Sequence, residues 1–91
     1  MLYIITYDIP SNKRRNKVAK LLEGYGKRVQ LSVFECELPE KLLLELKTKL
    51  RKKVDMAEDS VRFYAISSHT LSQVEIWNGP PLAESAKSVV V

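Results

Sequence analysis

The sequence predicts an α+β domain with two amphipathic helices laid against one side of an antiparallel sheet. Three observations carry this. Two stretches repeat apolar residues at helical spacing: Val18, Leu21, Leu22 and Tyr25, then Leu42, Leu43, Leu46, Leu50 and Val54. Runs rich in β-formers, at Leu2–Ile5, Val29–Leu38 and Val61–Ile66, alternate with those stretches. The chain has 91 residues and 45% of them are apolar, which fits one small globular domain whose limited core would gain from a second copy.

The first strand is the organising element. Leu2, Tyr3, Ile4 and Ile5 are apolar on both faces of a period-2 ribbon, which marks an interior strand. Asp8 shares a side with Leu2, Ile4 and Thr6, and Pro10 stops the strand because it cannot donate to a ladder. A carboxylate therefore stands where a central strand leaves the core. Ser11 or Asn12 then caps a helix that ends at Gly24 and Gly26.

In the following run, Val29, Leu31 and Val33 share one parity, whereas Phe34, Cys36 and Leu38 share the other. One flat strand cannot bury both sets, so a bulge, a bend or a tight reversal is expected between about Ser32 and Phe34. Pro39 and Glu40 open the second helix, whose end carries Lys49, Arg51, Lys52 and Lys53, cations that complement the helix dipole. An acidic turn at Ala57–Ser60 leads to the strand at Val61–Ile66, where Arg62 is a polar interruption. Ser67–Gln73 reads as a polar loop with His69 as a surface residue, and Val74–Trp77 as a further strand broken by Asn78, Gly79, Pro80 and Pro81. Val89, Val90 and Val91 suit pairing with another subunit's sheet edge. With a reversal near Ser32 the order is βαββαβ, the ferredoxin-like plan, with an extra C-terminal strand. Residues 1–78 form the domain and residues 79–91 a tail. The sheet face opposite the helices needs cover, which a second copy packing sheet against sheet would supply; Tyr3, Ile5 and Phe63 are expected on that face.

Charge is uneven. The net charge is +4, yet the segment from Ile9 to Phe34 alone carries +6 and the rest of the chain −2. Lys13, Arg14 and Arg15 sit in a first helical turn, where the dipole disfavours cations. A solvated face would tolerate that cost. The asymmetry favours an anion site in which backbone N–H groups and cationic side chains act on one phosphate, and hence a nucleic-acid partner. Tyr7, Tyr25 and Phe34 lie near this segment and could stack on bases or fill the core.

Other chemistry is missing from the sequence. There is no phosphate-binding glycine loop, no Cys/His set with zinc spacing and no Ser-His-acid set. No apolar run approaches the ~20 residues of a membrane span. The N-terminal run does not read as a signal peptide, since its charges follow the apolar stretch. Cys36 is the single cysteine, so a cytoplasmic, reducing setting is expected. Two readings of Asp8 stay open: a helix cap or salt bridge to Arg14, Arg15 or Arg28, or half of a Mg2+ site completed across a twofold axis. Magnesium often takes only one or two carboxylates plus a phosphate.

At these residues the chain resembles the small CRISPR-associated protein two family. The matching pieces are YIITYDIP, NKVAKLL, YGKRVQLSVFEC, EDSVRFYAI and EIWNGPPL, nearly the whole chain in order. The resemblance implies a ferredoxin-like homodimer and a magnesium-dependent endoribonuclease or endonuclease active in spacer acquisition and antiviral defence. It implies Asp8 as the catalytic, metal-binding carboxylate. Arg15, Lys17 and Arg28 fall at positions associated with nucleic acid or activity, with Ser32 and Phe34 adjacent. It further implies the larger CRISPR integrase as partner, and leaves room for a non-catalytic adaptor that binds duplex DNA and docks that integrase.

Overall fold

The structure, a computed structural model, describes residues 1–83. Its elements run β1 (Leu2–Asp8), α1 (Asn12–Glu23), β2 (Lys27–Gln30), β3 (Val33–Glu37), α2 (Glu40–Arg51), β4 (Ser60–Ile66) and a helical turn, α3 (Ser68–Leu71). The strands form one sheet in the order β2-β3-β1-β4, antiparallel at every pairing. This is the ferredoxin-like βαββαβ layout.

β1 and β3 are the two interior strands, and β1 carries the longer ladders. It pairs with β3 from Leu2↔Glu37 to Thr6↔Val33 and with β4 from Leu2↔Ile66 to Asp8↔Ser60. Residues directly opposite in a ladder face the same way. Ile5 is opposite Phe34 and Phe63, and Tyr3 is opposite Cys36, so these share one face. That face meets Val18, Leu22, Leu43, Leu46 and Leu50 of the two helices in a single core. The sequence expectation placed Tyr3, Ile5 and Phe63 on the uncovered face; they lie under the helices instead. The face without a helix carries Leu2, Ile4, Thr6, Asp8, Val33, Glu35, Arg62, Tyr64 and Ile66. Its middle is half-buried Ile4, Val33 and Ile66 beside exposed Tyr64.

The phase slip is resolved by two devices at once. The ladder steps from Arg28↔Phe34 to Gln30↔Val33, so Val29 is an extra residue in β2, a bulge, and Leu31 and Ser32 then reverse the chain. Neither turn residue is a glycine or asparagine, and the reversal is held from outside instead. The Leu31 carbonyl accepts from the Tyr7 hydroxyl at 3.2 Å and from Arg28 Nε and Nη2 at 3.0 and 2.6 Å. The Ser32 carbonyl accepts from the Tyr7 N–H at 3.2 Å. Leu31, expected on an apolar face, projects into solvent at the tip, 83% exposed.

Ser11 caps α1, its side chain accepting from the Arg14 N–H at 3.2 Å. Gly24 ends the helix with an ordinary right-handed backbone (φ −77°), so left-handed geometry is not what the glycines supply here. Gly26 is required for another reason. A Cβ there would overlap the Glu35 carbonyl and the Cys36 Sγ, and would stand 2.9 Å from the Cys36 Cα. The chain leaves α1 pressed flat against β3. Cys36 itself is wholly buried, and burial pushes its thiol up to about 12.

Beyond β4 the expectations change. The Ser67–Gln73 segment contains the turn α3, with His69 exposed. Val74–Trp77 is not a strand: residues 74–83 carry no helix or strand, and Trp77 is 87% exposed. Strand propensity needs a ladder partner to become a strand, and none of the four described strands supplies one. At Ala83 the segment meets the open face, its N–H donating to Glu35 Oε1 at 3.0 Å. The expected pairing of Val89–Val91 lies outside the described residues. Among the described residues no helix is long and apolar enough to cross a membrane.

Gly26→Ala should lower unfolding free energy by about 1–3 kcal/mol, the usual cost of overpacking. The urea midpoint checks this, with Gly24→Ala as the mild control, since a Cβ there meets only the Leu21 carbonyl at 3.4 Å. In native protein Cys36 should resist thiol reagents at neutral pH and become reactive on unfolding, because burial keeps it as the thiol.

Candidate functional site

Asp8 stands at one end of the sheet, on the face without helices. The register sets Ser60 opposite it on one side. On the other side the hairpin tip is bound to Tyr7, the residue before it. Asp8 is exposed, whereas Tyr7 and Ile9 around it are buried, so the backbone that carries the carboxylate is fixed. Among the described residues no ion pair or hydrogen bond engages the Asp8 carboxylate. The cap and salt-bridge roles that the sequence left open for Asp8 are filled by other groups. Ser11 is the cap, and the three arginines are committed elsewhere.

Its position in a basic first turn makes Arg14 a candidate phosphate ligand. In the structure it is an internal latch. Nε and Nη2 bind the two oxygens of Asp59 at 2.8 and 3.0 Å, and Nη2 also reaches Glu58 at 3.1 Å. The Asp59 side chain has no solvent exposure and also accepts from the Asp55 N–H at 2.8 Å. Forty-five residues separate the partners, so periodicity gave no sign of them. The hydrogen bonds from Arg14, helped by the Asp55 N–H and opposed by burial, hold the Asp59 carboxyl below its ordinary value. The same contact raises the Arg14 guanidinium.

Arg15 clamps the turn that follows Asp8. Nη1 donates to the Ile9 carbonyl at 2.8 Å and Nη2 to Asn12 Oδ1. Arg28 lies over the Phe34 ring at 5.7 Å, while Tyr7 stacks on the same residue with ring centroids 6.3 Å apart. Phe34 is fully buried, so it supports the site from below and presents no face to a base. Ser32 is half-buried at the tip, and Lys17 is exposed on α1. The structure thus gathers Asp8, Tyr7, Arg15, Arg28, Ser32 and Phe34 around one end of β1, with Lys17 further along α1. Sequence reasoning missed two neighbours. Arg62 lies on the face of Asp8, two residues along β4 from Ser60, where its Nη1 donates to the Tyr64 hydroxyl at 3.0 Å. Leu31 supplies the carbonyl that gathers Tyr7 and Arg28. The register shows the first and the bulge the second, and neither is visible in linear order.

Comparison with known proteins places the chain. Residues 1–74 match the family model of CRISPR associated protein Cas2, and the chain belongs to that family. A relative from Synechocystis sp., named CRISPR-associated endoribonuclease Cas2 3, is 57% identical over 90 residues, covering 99% of this chain and 98% of its own. A Thermus thermophilus relative, named CRISPR-associated endonuclease Cas2 2, is 47% identical over 83 residues, covering 91% of this chain and 88% of its own. Among solved structures, a chain of a partial Cas6-RT-Cas1–Cas2 complex superposes with a TM-score of 0.75 at 33% identity, covering 88% of both chains.

The latch makes acid stability specific. Because the folded-state value of Asp59 is depressed, its contribution is present above the ordinary carboxyl value of about 4 and is lost as pH falls through the folded value. Thermal melts of the wild type should therefore lose Tm below about pH 4. Asp59→Asn should melt lower at neutral pH and show a shallower acid decline.

Proposed function

We propose that the chain is a CRISPR-associated endonuclease acting in spacer acquisition and antiviral defence, as a cytoplasmic homodimer that binds nucleic acid and partners the CRISPR integrase. The observation that carries this is Asp8: an exposed carboxylate, uncommitted among the described residues, held on a rigid backbone on the sheet face that no helix covers. A second copy packing on that face would cover Ile4, Val33, Tyr64 and Ile66 and bring two Asp8 side chains toward one axis. Membership of a family whose relatives are named endoribonuclease or endonuclease supports the phosphodiester chemistry. The solved complex named for Cas1 and Cas2 supports the integrase partner.

Among the described residues of one chain no group of three or more His, Cys, Asp or Glu side chains could hold a metal. Magnesium does not need such a group, since it keeps several waters and uses one or two carboxylates with substrate oxygens. Asp8 from each copy would hold it. When bound, the ion supplies charge neutralisation on the phosphodiester and acidifies water. The chain's own residues do the rest. Lys17 and the start of α1 offer positive charge to the phosphates. Arg15 fixes the Ile9 carbonyl and so the direction of Asp8. Tyr7 and Arg28 hold the hairpin tip, with Ser32, beside the reacting phosphate. Arg14, satisfied by Asp59, orients α1 and does not contact phosphate.

The single carboxylate per chain favours a second reading, a dimeric adaptor that binds duplex DNA and docks the integrase without cutting. Asp8→Asn separates the two. Assayed with RNA and duplex DNA across a magnesium titration, it should lower cleavage by about 10²-fold or more with nucleic-acid affinity kept. Loss of cleavage with intact spacer integration, in the presence of the integrase, assigns the acquisition role to the adaptor. In salt titrations of duplex binding, Lys17→Ala should reduce the slope of log K against log salt by about 1. Arg14→Ala should instead leave the slope unchanged and lower Tm.

A further inference from the structure

The dipole of α2 accounts for one or two cations at its end, but the chain places more there than the dipole uses. Lys47 lies 5.3 Å above the Phe63 ring, and Lys49 pairs with Glu45 at 3.9 Å while lying 5.5 Å above the Tyr25 ring. Those two serve the fold. Arg51 closes the helix, Lys52 is its C-cap and Lys53 follows it. All three are exposed, consecutive and without an ion-pair partner among the described residues. The dipole's field falls off within the last turn, and three adjacent cations repel one another.

Their location is what the linear sequence hides. Arg51 and Asp59 line one pocket of about 290 Å³, with Lys47, Leu50, Val54, Met56, Val61 and Phe63. Asp59 in turn binds Arg14 in the first turn of α1, and Ser60 stands opposite Asp8. The end of α2, the start of α1 and Asp8 therefore share one end of the molecule. The acids between them are already occupied. Asp59 is bound by Arg14 and the Asp55 N–H, Glu58 by Arg14, and Asp55 Oδ1 accepts from the Ala57 N–H at 2.9 Å. Arg14 offsets one of the three negative charges of this loop, and hydrogen bonds engage the side chains of all three acids.

We propose that Arg51, Lys52 and Lys53 form a second phosphate-contacting arm, continuous past the Arg14–Asp59 latch with the basic start of α1, that takes the backbone of a nucleic-acid duplex. This rests on the nucleic-acid reading above and extends its footprint to a segment that helix electrostatics alone had explained. A duplex backbone suits the arrangement because two separate cationic arms at one end can meet phosphates apart along the same ligand.

The test is binding of the full chain to a duplex of about 40 base pairs, followed by anisotropy between about 50 and 300 mM salt. Arg51→Gln/Lys52→Gln/Lys53→Gln should flatten the log K against log salt slope by about 2–3 and weaken binding at least about tenfold at the lower salts. Lys52→Gln/Lys53→Gln, which changes side chains only at the C-cap and the residue after it, should flatten it by about 2. If both variants keep the wild-type slope while Lys17→Ala loses its unit, the arm is wrong and the nucleic-acid reading stands. If Lys17→Ala and the arm variants all keep the slope, the nucleic-acid reading fails as well. An unchanged slope with lost capture by the integrase would make this surface a dock for an acidic protein and overturn the proposal.

Discussion

The structure depends on β1 being paired along both edges. Seven consecutive ladder positions join it to β4 and five join it to β3. Strict alternation then decides everything around it. Tyr3, Ile5 and Tyr7 go under the helices, and Ile4, Thr6 and Asp8 go to the other side. A carboxylate on the core side of that alternation would be buried at a cost of several kcal/mol. On the open side it stays in contact with solvent. Asp8 is therefore available because of its parity, and rigid because its two neighbours are buried.

A second constraint is the hairpin beside β1. Its turn lacks the residues that normally make a tight reversal, so the fold recruits Tyr7 and Arg28 to one carbonyl. The tip is tied to the strand end that carries Asp8 through Tyr7, and Phe34 beneath packs against both Tyr7 and Arg28. Overlap at Gly26 shows how closely the same region is packed, with the chain leaving α1 in direct contact with β3.

Electrostatics organise the same end. A basic first helical turn is locally unfavourable, and the chain offsets it with the Ser11 cap and with Asp59. Placing an anion against Arg14 converts the most misplaced cation into a tie between α1 and the loop before β4. Lys13 and Lys17 of α1 and Arg51–Lys53 at the end of α2 face solvent at the end of the sheet that carries Asp8, which gives the domain a basic end in which Asp8 and Glu58 are exposed acids.

The alternation of β1, the two helical stripes and the charge asymmetry were legible from the sequence because they depend on neighbours within a turn or a ladder step. They determined the α+β class, offered the βαββαβ order if the chain reversed near Ser32, and singled out Asp8 as a candidate. What tertiary structure decided are facts about partners far apart in the chain. Arg14 meets Asp59 across 45 residues, which engages its guanidinium in an ion pair between α1 and the loop before β4. Val74–Trp77 has a strand's composition, yet it pairs with none of the four described strands. Tyr3, Ile5 and Phe63 look alike on either face until the ladder register assigns them. Composition and periodicity fix which side chains share a face; only the pairing of strands and the meeting of distant charges fix which face is covered and which cations are free.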